Sequence, residues 1–200
     1  MKTVLSINSS ILGDNSQSRQ LSKQLLERIK KTYPNVNIIE RDVVKNPLPH
    51  LDGEQFSAFI TPPEQRTDKQ KALVAQSDEL VKEISEAETV VLALPLYNFG
   101  IPSQLKAYFD NLARAGITFK YTATGPVGLL TGKRTIVLAT RGGFHYGTDK
   151  ESQTNHVKVF MGFLGITDIE FIYAEGLAIS PEQKTKSLEE ASEMIAAVSL

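Results

Sequence analysis

The chain has 200 residues, of which 41% are hydrophobic and 22% are charged, and its formal net charge is −1. This composition is close to that of average soluble globular proteins and argues against disorder, collagen-like repeats and membrane spanning. Acidic and basic residues are mixed along the length, so no basic face is available for nucleic acid or an anionic membrane. The chain has no cysteine, which excludes disulfides, thiolate catalysis and cysteine-ligated metals, and we expect no metal site. Small or uncharged partners are favoured.

Two hundred residues suffice for one domain with its own core, and we expect a single domain over residues 1–200. The apolar run in the first eight residues is too short for the hydrophobic region of a signal peptide. It is typical instead of a strand that begins almost at once. We therefore expect a cytoplasmic protein.

Short apolar runs that alternate with stretches of helical periodicity predict the strands. The runs cover residues 4–7, 36–39, 89–94, 135–139 and 169–173. Nearly continuous β-branched and aliphatic runs, as in 89–94 and 135–139, suit central parallel strands that are covered on both faces. The run 169–173 is more mixed, which indicates a strand nearer an edge.

Apolar residues that recur every three or four positions predict the helices between these strands. The stripes are Leu21, Leu25 and Ile29; Leu73, Leu80, Val81 and Ile84; Leu105, Tyr108, Phe109 and Leu112; Phe160, Phe163 and Leu164; and Leu188, Ala191, Ile195 and Val198. Thr67 and Gln70 form a capping-box pattern before the second helix, and Ser180 followed by Pro181 predicts the start of the last one.

Five strands that alternate with helices predict an α/β protein with a parallel sheet and helices on both faces. The pattern fits the strand order 2-1-3-4-5 of flavodoxin-like folds, in which ligands bind beyond the carboxyl ends of strands 1, 3 and 4. The loops that begin near Asn8, Pro95 and Thr140 are therefore the candidate site. Residues 46–66 carry four prolines and several apolar side chains, and we expect a surface excursion near the site that contacts a second subunit.

The first loop ends at the start of a helix, where free backbone amides and the helix dipole attract anions. Ser10, Ser16 and Ser18 add hydroxyl donors, as a phosphomonoester requires. Alternatively, Ser16 only caps the helix and the other serines are solvated. The loop lacks the G-x-G-x-x-G pattern of a dinucleotide-binding turn, and residues 128–134 have the wrong spacing for a Walker A loop.

The second and third loops favour a flat heteroaromatic ligand. Leu96, Tyr97, Asn98 and Phe99 offer apolar contact and an amide group directly after the strongest strand, although core packing of Tyr97 and Phe99 is the alternative. The paired Gly142 and Gly143 let the backbone approach a ligand closely. His145 is either a donor to the ligand or a solvated loop histidine, and we expect His50 and His156 to be solvated loop histidines.

Together, Ser16-Gln17-Ser18 after strand 1, Leu96-Tyr97-Asn98-Phe99 after strand 3 and Thr140-Arg141-Gly142-Gly143 after strand 4 resemble the bacterial FMN-dependent NADH-azoreductases. That family groups with NAD(P)H quinone reductases in the flavodoxin-like superfamily. The resemblance covers essentially the whole chain, including residues 109–110, 113–116, 118–119 and 163–165. Thr140 stands where serine is common, and Leu96 where methionine is common.

The resemblance implies where FMN binds. Ser10, Ser16, Gln17 and Ser18 would hold its phosphate, and residues 96–99 and 140–143, with His145 as a further contact, would line its isoalloxazine ring. It also implies homodimers with a site at each end of the interface, in which Phe99, Tyr121 and Phe163 contribute to the acceptor pocket.

The implied activity is NADH-dependent reduction of quinones and azo compounds. Hydride would pass to N5 of the flavin and then to an acceptor at the same face, in ping-pong order, so no side chain is assigned as catalytic. The physiological acceptor, and the choice between NADH and NADPH, stay open.

Two alternatives come from other classes of protein. A flavodoxin-type electron carrier is disfavoured by the balanced charge and by the excursion at 46–66. A serine hydrolase is disfavoured because the chain has no G-x-S-x-G elbow and no evident Ser/His/Asp set.

Overall fold

A five-stranded parallel sheet with helices on both faces forms the centre of the computed structural model, which describes residues 2–200. The strands are β1 (Thr3–Asn8), β2 (Asn37–Asp42), β3 (Thr89–Pro95), β4 (Phe119–Thr122), β5 (Gly125–Gly128), β6 (Arg134–Thr140) and β7 (Asp168–Ala174). The helices are α1 (Gln17–Thr32), α2 (Gly53–Ile60), α3 (Asp68–Glu86), α4 (Ser103–Leu112), α5 (Gln153–Leu164) and α6 (Pro181–Ala197). Two short 3-10 turns cover Gly13–Asn15 and Pro63–Gln65.

The strand order of the main sheet is β2-β1-β3-β6-β7, and all four pairings are parallel. Counting only the strands of this sheet, the order is the predicted 2-1-3-4-5. The remaining two strands, β4 and β5, pair antiparallel as a separate hairpin. This hairpin, which contains Phe119 and Tyr121, was not predicted from the sequence. Its four-residue strands are too short, and too rich in glycine and threonine, to show an apolar alternation.

Two apolar cores lie on opposite faces of the sheet. One contains the buried faces of α3, α4 and α5, and the other those of α1 and α6. Strand β3 serves both, since Val90 and Leu92 belong to the first core and Val91 to the second, and every residue of this strand is buried. This double coverage explains why its sequence is an unbroken apolar run.

The helix starts agree with the predicted caps. Thr67 accepts from the Gln70 amide at 3.2 Å and the Gln70 side chain bonds back to Thr67, which completes the capping box of α3. Ser180 caps α6 directly before Pro181. The close contact of β5 with the end of α5 requires glycine, because a Cβ on Gly128 would lie 2.0 Å from the Gly165 nitrogen.

The excursion at 46–66 is more ordered than its prolines suggest, since it contains α2 and a 3-10 turn. Buried polar contacts attach it to the body: Gln55 Nε2 donates to Asn111 Oδ1 at 2.6 Å, and the Arg114 guanidinium lies 4.4 Å from the Phe59 ring centre. Phe56 and Ile60 on α2 remain 54% and 64% exposed. Within residues 2–200, no helix combines the length and the apolar character that crossing a bilayer requires.

Candidate functional site

The loop after β1 places buried hydroxyl groups at the start of α1. Ser10, Ser16 and Ser18 are all at most 2% exposed, and the Oγ atoms of Ser16 and Ser18 lie 3.0 Å apart. Ser16 does cap the helix, because its Oγ accepts from the Arg19 amide at 3.3 Å. Capping alone does not account for Ser18, which sits at the second position of the helix beside Gln17. The backbone amides of these two residues donate to no acceptor in the described chain. Hydroxyls and free amides at a helix start are donors suited to an anion.

A tight turn forms the loop after β3. Tyr97 and Gly100 exchange two backbone hydrogen bonds of 3.2 and 3.0 Å around Asn98 and Phe99. Both central residues have positive φ, 49° at Asn98 and 65° at Phe99, as in a type I′ turn. This region is uncommon for asparagine and a genuine outlier for an aromatic residue. Such strain is characteristic of functional sites.

Burial in the core does not offset this strain, because the Phe99 side chain is 53% exposed. The alternative of core packing is therefore wrong for Phe99. Tyr97 is half-buried, and its hydroxyl lies 3.0 Å from Ser10 Oγ, which joins the second loop to the first.

The third loop is held by its backbone carbonyls. Arg141, Gly142 and Gly143 accept from the amides of Leu177, Ala178 and Gly176 at 3.1, 2.9 and 3.0 Å. The amides of Gly142 and Gly143 have no acceptor among the described residues. The Leu96 amide donates to the Thr140 carbonyl at 3.0 Å, which joins this loop to the second one. Free amides are thus presented beside the strained turn.

The Arg141 side chain is not part of the exposed site surface. Its guanidinium is fully buried and pairs with Glu151 at 2.7 Å and Glu175 at 3.0 Å. Its backbone amide is also engaged, with the Ala174 carbonyl at 2.9 Å. Arg141 can therefore affect a ligand only through the loop that it supports.

His145 lies within the site. Its ring makes an edge-on contact with Phe99, with 5.7 Å between ring centres. A Cβ added to Gly143 would lie 3.0 Å from His145 Nε2, so a larger residue here would press against the imidazole ring. His145 is half-buried rather than fully solvated.

Open cavities border the second loop. One of about 790 Å³ lies between Ile11 of the first loop and residues 96–104. Another, of about 400 Å³, is lined by His50, Gly100, Ile101 and the start of α5. A third, of about 560 Å³, follows α5 from Ser152 to Phe163.

Phe163 and Tyr121 belong to one aromatic cluster, in which Phe119 lies 4.4 Å from the Phe163 ring centre and 5.4 Å from that of Tyr121. Tyr121 is 76% exposed. Ser152, at the other end of α5, donates to the Phe99 carbonyl at 2.6 Å. At 1.5 Å per residue, the eleven steps from Ser152 to Phe163 span about 16 Å along the helix. The cluster and the strained turn of the same chain thus lie at opposite ends of α5.

The model of a family described as having a flavodoxin-like fold matches residues 2–198. The chain belongs to this family. It is 48% identical over 198 residues to a Burkholderia pseudomallei (strain 1710b) protein named FMN-dependent NADH:quinone oxidoreductase, covering 99% of this chain and 100% of that protein. A Cellvibrio japonicus protein of the same name is 52% identical over 177 residues, covering 88% and 89%.

Solved structures give the same result. The azoreductase from Bacillus anthracis str. Sterne superposes with a TM-score of 0.88 at 32% identity, covering 99% of this chain and 100% of that one. An FMN-dependent NADH-azoreductase from Bacillus anthracis str. Ames Ancestor, solved in complex with FMN, has a TM-score of 0.87 at 32% identity, covering 98% and 99%. The resemblance inferred from the sequence is thereby confirmed.

His156 departs from its prediction as a solvated loop histidine. It lies within α5, its ring stacks on Phe109 with 6.2 Å between centres, and its Nε2 is buried without a hydrogen-bond partner in the described chain. Burial lowers the pKa of the His156 imidazole, the nearby Lys106 lowers it further, and Asp110 acts in the opposite direction. The helical stripe that predicted α5 began only at Phe160, so the first two turns were missed.

Two residues that support the loops from behind, Gln153 and Glu175, were not predicted from the sequence. Gln153 Nε2 donates to the Pro95 carbonyl at 2.8 Å, which fixes the start of the second loop against α5. Glu175, directly after β7, accepts from the amides of His145 and Tyr146 at 2.9 Å each. An acidic residue at the carboxyl end of a parallel strand is a usable signal, because that edge is where such sheets place their sites.

Proposed function

We propose that this chain binds FMN and uses it to transfer electrons from NADH to quinones and aromatic azo compounds. The observation that carries the proposal is the meeting of three loops at the carboxyl edge of the sheet. They combine buried hydroxyls, free amides and a strained aromatic turn. The relatives named for this activity extend over nearly the whole chain.

The donor set at α1 fits a phosphate monoester. Ser10, Ser16 and Ser18 supply hydroxyls, and the amides of Gln17 and Ser18 supply backbone donors at the positive end of the helix dipole. The single loop offers no second cradle of the G-x-G-x-x-G kind, which favours FMN over FAD.

The second and third loops suit the ring system. Residues 96–99 and 140–143, together with His145, would contact it, and the free amides of Gly142 and Gly143 would donate to its polar edge. Bound FMN supplies two-electron chemistry at N5, so no side chain has to act as a nucleophile. Phe99 has half of its surface exposed and would contact the acceptor.

We further propose that the active species is a homodimer. Phe163 lies about 16 Å along α5 from Ser152, which contacts the strained turn of the same chain, and Tyr121 of the same aromatic cluster is 76% exposed. They would therefore close the acceptor pocket of the partner protomer, since exposed aromatic surface of this kind marks an interface or a ligand site.

NADH and the acceptor would use this one pocket in turn. Ping-pong order follows from shared occupancy, because the oxidised dinucleotide has to leave before an acceptor enters. NADH is made and consumed in the cytoplasm, where we propose that the protein acts.

Chromatography of the cofactor released from denatured protein and steady-state kinetics test the proposal together. We expect FMN, and NADH-driven reduction of menadione and methyl red without a partner protein. Double-reciprocal plots at several acceptor concentrations should give parallel lines. FAD, or no flavin after incubation with FMN, would contradict the cofactor assignment. A flavin protein that reduces neither acceptor would favour the electron-carrier alternative.

A further inference from the structure

Arg141 lies in a buried charge cluster directly beneath the third loop. Its Nη1 contacts Glu175 Oε1 at 3.0 Å, and its Nη2 contacts Glu151 Oε1 at 2.7 Å and Thr154 Oγ1 at 3.1 Å. The Arg141 side chain has no exposed surface, and the two carboxylates are 7% and 14% exposed. A buried cation between two carboxylates is costly to desolvate and therefore weak support for stability by itself. A role other than stability is therefore favoured for the buried Arg141 side chain.

The carboxylate of Glu175 connects the buried cluster to the backbone of the third loop. One oxygen, Oε1, accepts from Arg141 Nη1 at 3.0 Å and from the His145 and Tyr146 amides at 2.9 Å each. Hydrogen bonds to a charged acceptor are about twice as strong as neutral ones. The far end of the third loop is thus tied to the same oxygen that the Arg141 side chain orients.

The near end of the loop is fixed by the Arg141 backbone. The Arg141 amide donates to the Ala174 carbonyl at 2.9 Å, and the Arg141 carbonyl accepts from Leu177 at 3.1 Å. Between these two anchors lie Gly142 and Gly143, whose carbonyls are also occupied and whose amides are free. Glycines impose little conformational restraint of their own. The direction of their amides is therefore set by these carbonyl hydrogen bonds together with the anchors at the two ends of the loop.

We propose that Arg141 and Glu175 are positioning residues that aim the Gly142 and Gly143 amides at the polar edge of the bound flavin ring. This rests on the proposed function. Preorganised amides of this kind stabilise negative charge that develops on reduction, and they do so only when they are held in place. The cluster would thus tune the cofactor without touching it.

Arg141→Lys tests the proposal because it conserves the net charge of the cluster. An ammonium group cannot reproduce the planar fork that reaches Glu151, Glu175 and Thr154 together. We expect the dissociation constant for FMN to rise about tenfold, and the midpoint potential of the bound flavin to become more negative as charge stabilisation is lost. In flavin-free protein, amide hydrogen exchange at His145 and Tyr146 should become faster.

Arg134→Lys is the matched control, since Arg134 begins β6, the strand that ends directly before Arg141, and pairs with Glu170 at the opposite end of the sheet. We expect this variant to keep the affinity, potential and exchange rates of the unaltered protein.

Two Glu175 variants of equal charge test the proposal if the Arg141→Lys protein does not fold. Glu175→Gln and Glu175→Ala remove the same charge, but only glutamine keeps an oxygen for the two amides. We expect Glu175→Gln to bind FMN more tightly than Glu175→Ala and to have the less negative potential.

Equal potentials in the Glu175 pair, or an Arg141→Lys variant that matches Arg134→Lys in all three measurements, would overturn the inference. Unaltered protein that binds no flavin would instead refute the proposed function. The exchange rates in flavin-free protein would then still show whether the cluster orders the loop.

Discussion

The buried hydroxyl of Ser18 is not needed to cap helix α1. It is fully buried at the second position of α1, where Ser16 already provides the cap. Ser18→Ala should therefore weaken FMN binding without unwinding the helix. A hydrogen bond to a charged phosphate contributes roughly 1.5–3 kcal/mol, so the dissociation constant should rise at least about tenfold.

Fluorescence quenching of FMN titrated with flavin-free protein measures this change. Ser85→Ala, an exposed serine on α3, is the control and should bind as the unaltered protein does. Unchanged affinity in Ser18→Ala would remove the hydroxyl from the phosphate site. Adding Ser16→Ala should weaken binding further, although part of that loss would come from the lost cap.

Burial of the His156 imidazole leads us to expect that the stability of the protein depends on pH. Its pKa is lowered in the folded protein, mainly by burial, from an ordinary value of 6.5. The unfolded chain then binds a proton more readily as the pH falls below about 6.5, so the stability contributed by neutral His156 is present above that value and lost below it.

His156→Phe should therefore reduce the loss of stability between about pH 6.5 and pH 5, measured as the midpoint of urea unfolding. His50→Phe is the control, because His50 is an exposed residue outside the helices and strands. Curves for His156→Phe and the unaltered protein that stay parallel over this range would contradict the assignment.

At the scale of elements, the sequence predicted the sheet strands and the helices with continuous apolar stripes, because burial leaves a regular period in such segments. The β4–β5 hairpin and α2 were not predicted, for the opposite reason. Tyr121 and Phe56 are exposed, so their elements carry no buried period to detect. The three candidate loops do follow β1, β3 and β6 at one edge of the sheet, as the topology predicted. The strained turn at Asn98 and Phe99 was not predicted, because phenylalanine rarely adopts a positive φ and gives no signal for such a turn.

The α2 excursion is attached by polar contacts, and this can be tested. Gln55→Ala would leave the buried Asn111 Oδ1 without its donor. We expect the free energy of unfolding to fall by about 1–3 kcal/mol, as for other buried polar groups that lose a partner. Gln65→Ala, in the exposed 3-10 turn of the same excursion, should change it little. Urea unfolding of both variants measures the difference, and equal values would show that the excursion is held some other way.

At the scale of the whole molecule, the proposed dimer makes a prediction about mixed subunits. If Phe163 completes the partner's pocket, a heterodimer of Ser16→Ala/Ser18→Ala with Phe163→Ala contains one site with both defects and one intact site. Random reassortment of equal amounts should then restore roughly a quarter of the unaltered sites. Activity toward a bulky azo dye, at FMN concentrations limiting for the serine variant, measures the recovery.

Mixing Tyr121→Ala with Phe163→Ala is the control, because both residues belong to one aromatic cluster and so serve the same site. Every heterodimeric site would then carry one defect, and no activity should return. A species that light scattering identifies as a monomer and that is fully active would contradict the shared pocket.

The central claim is that this chain by itself takes electrons from NADH onto FMN and gives them to a small acceptor. Anaerobic mixing of the FMN-loaded protein with one equivalent of NADH tests it most directly, followed by addition of menadione. We predict that NADH bleaches the visible absorbance of the flavin and that menadione restores it with no other protein present. Absorbance that persists after NADH is added, or that returns only with a protein partner, would contradict the account.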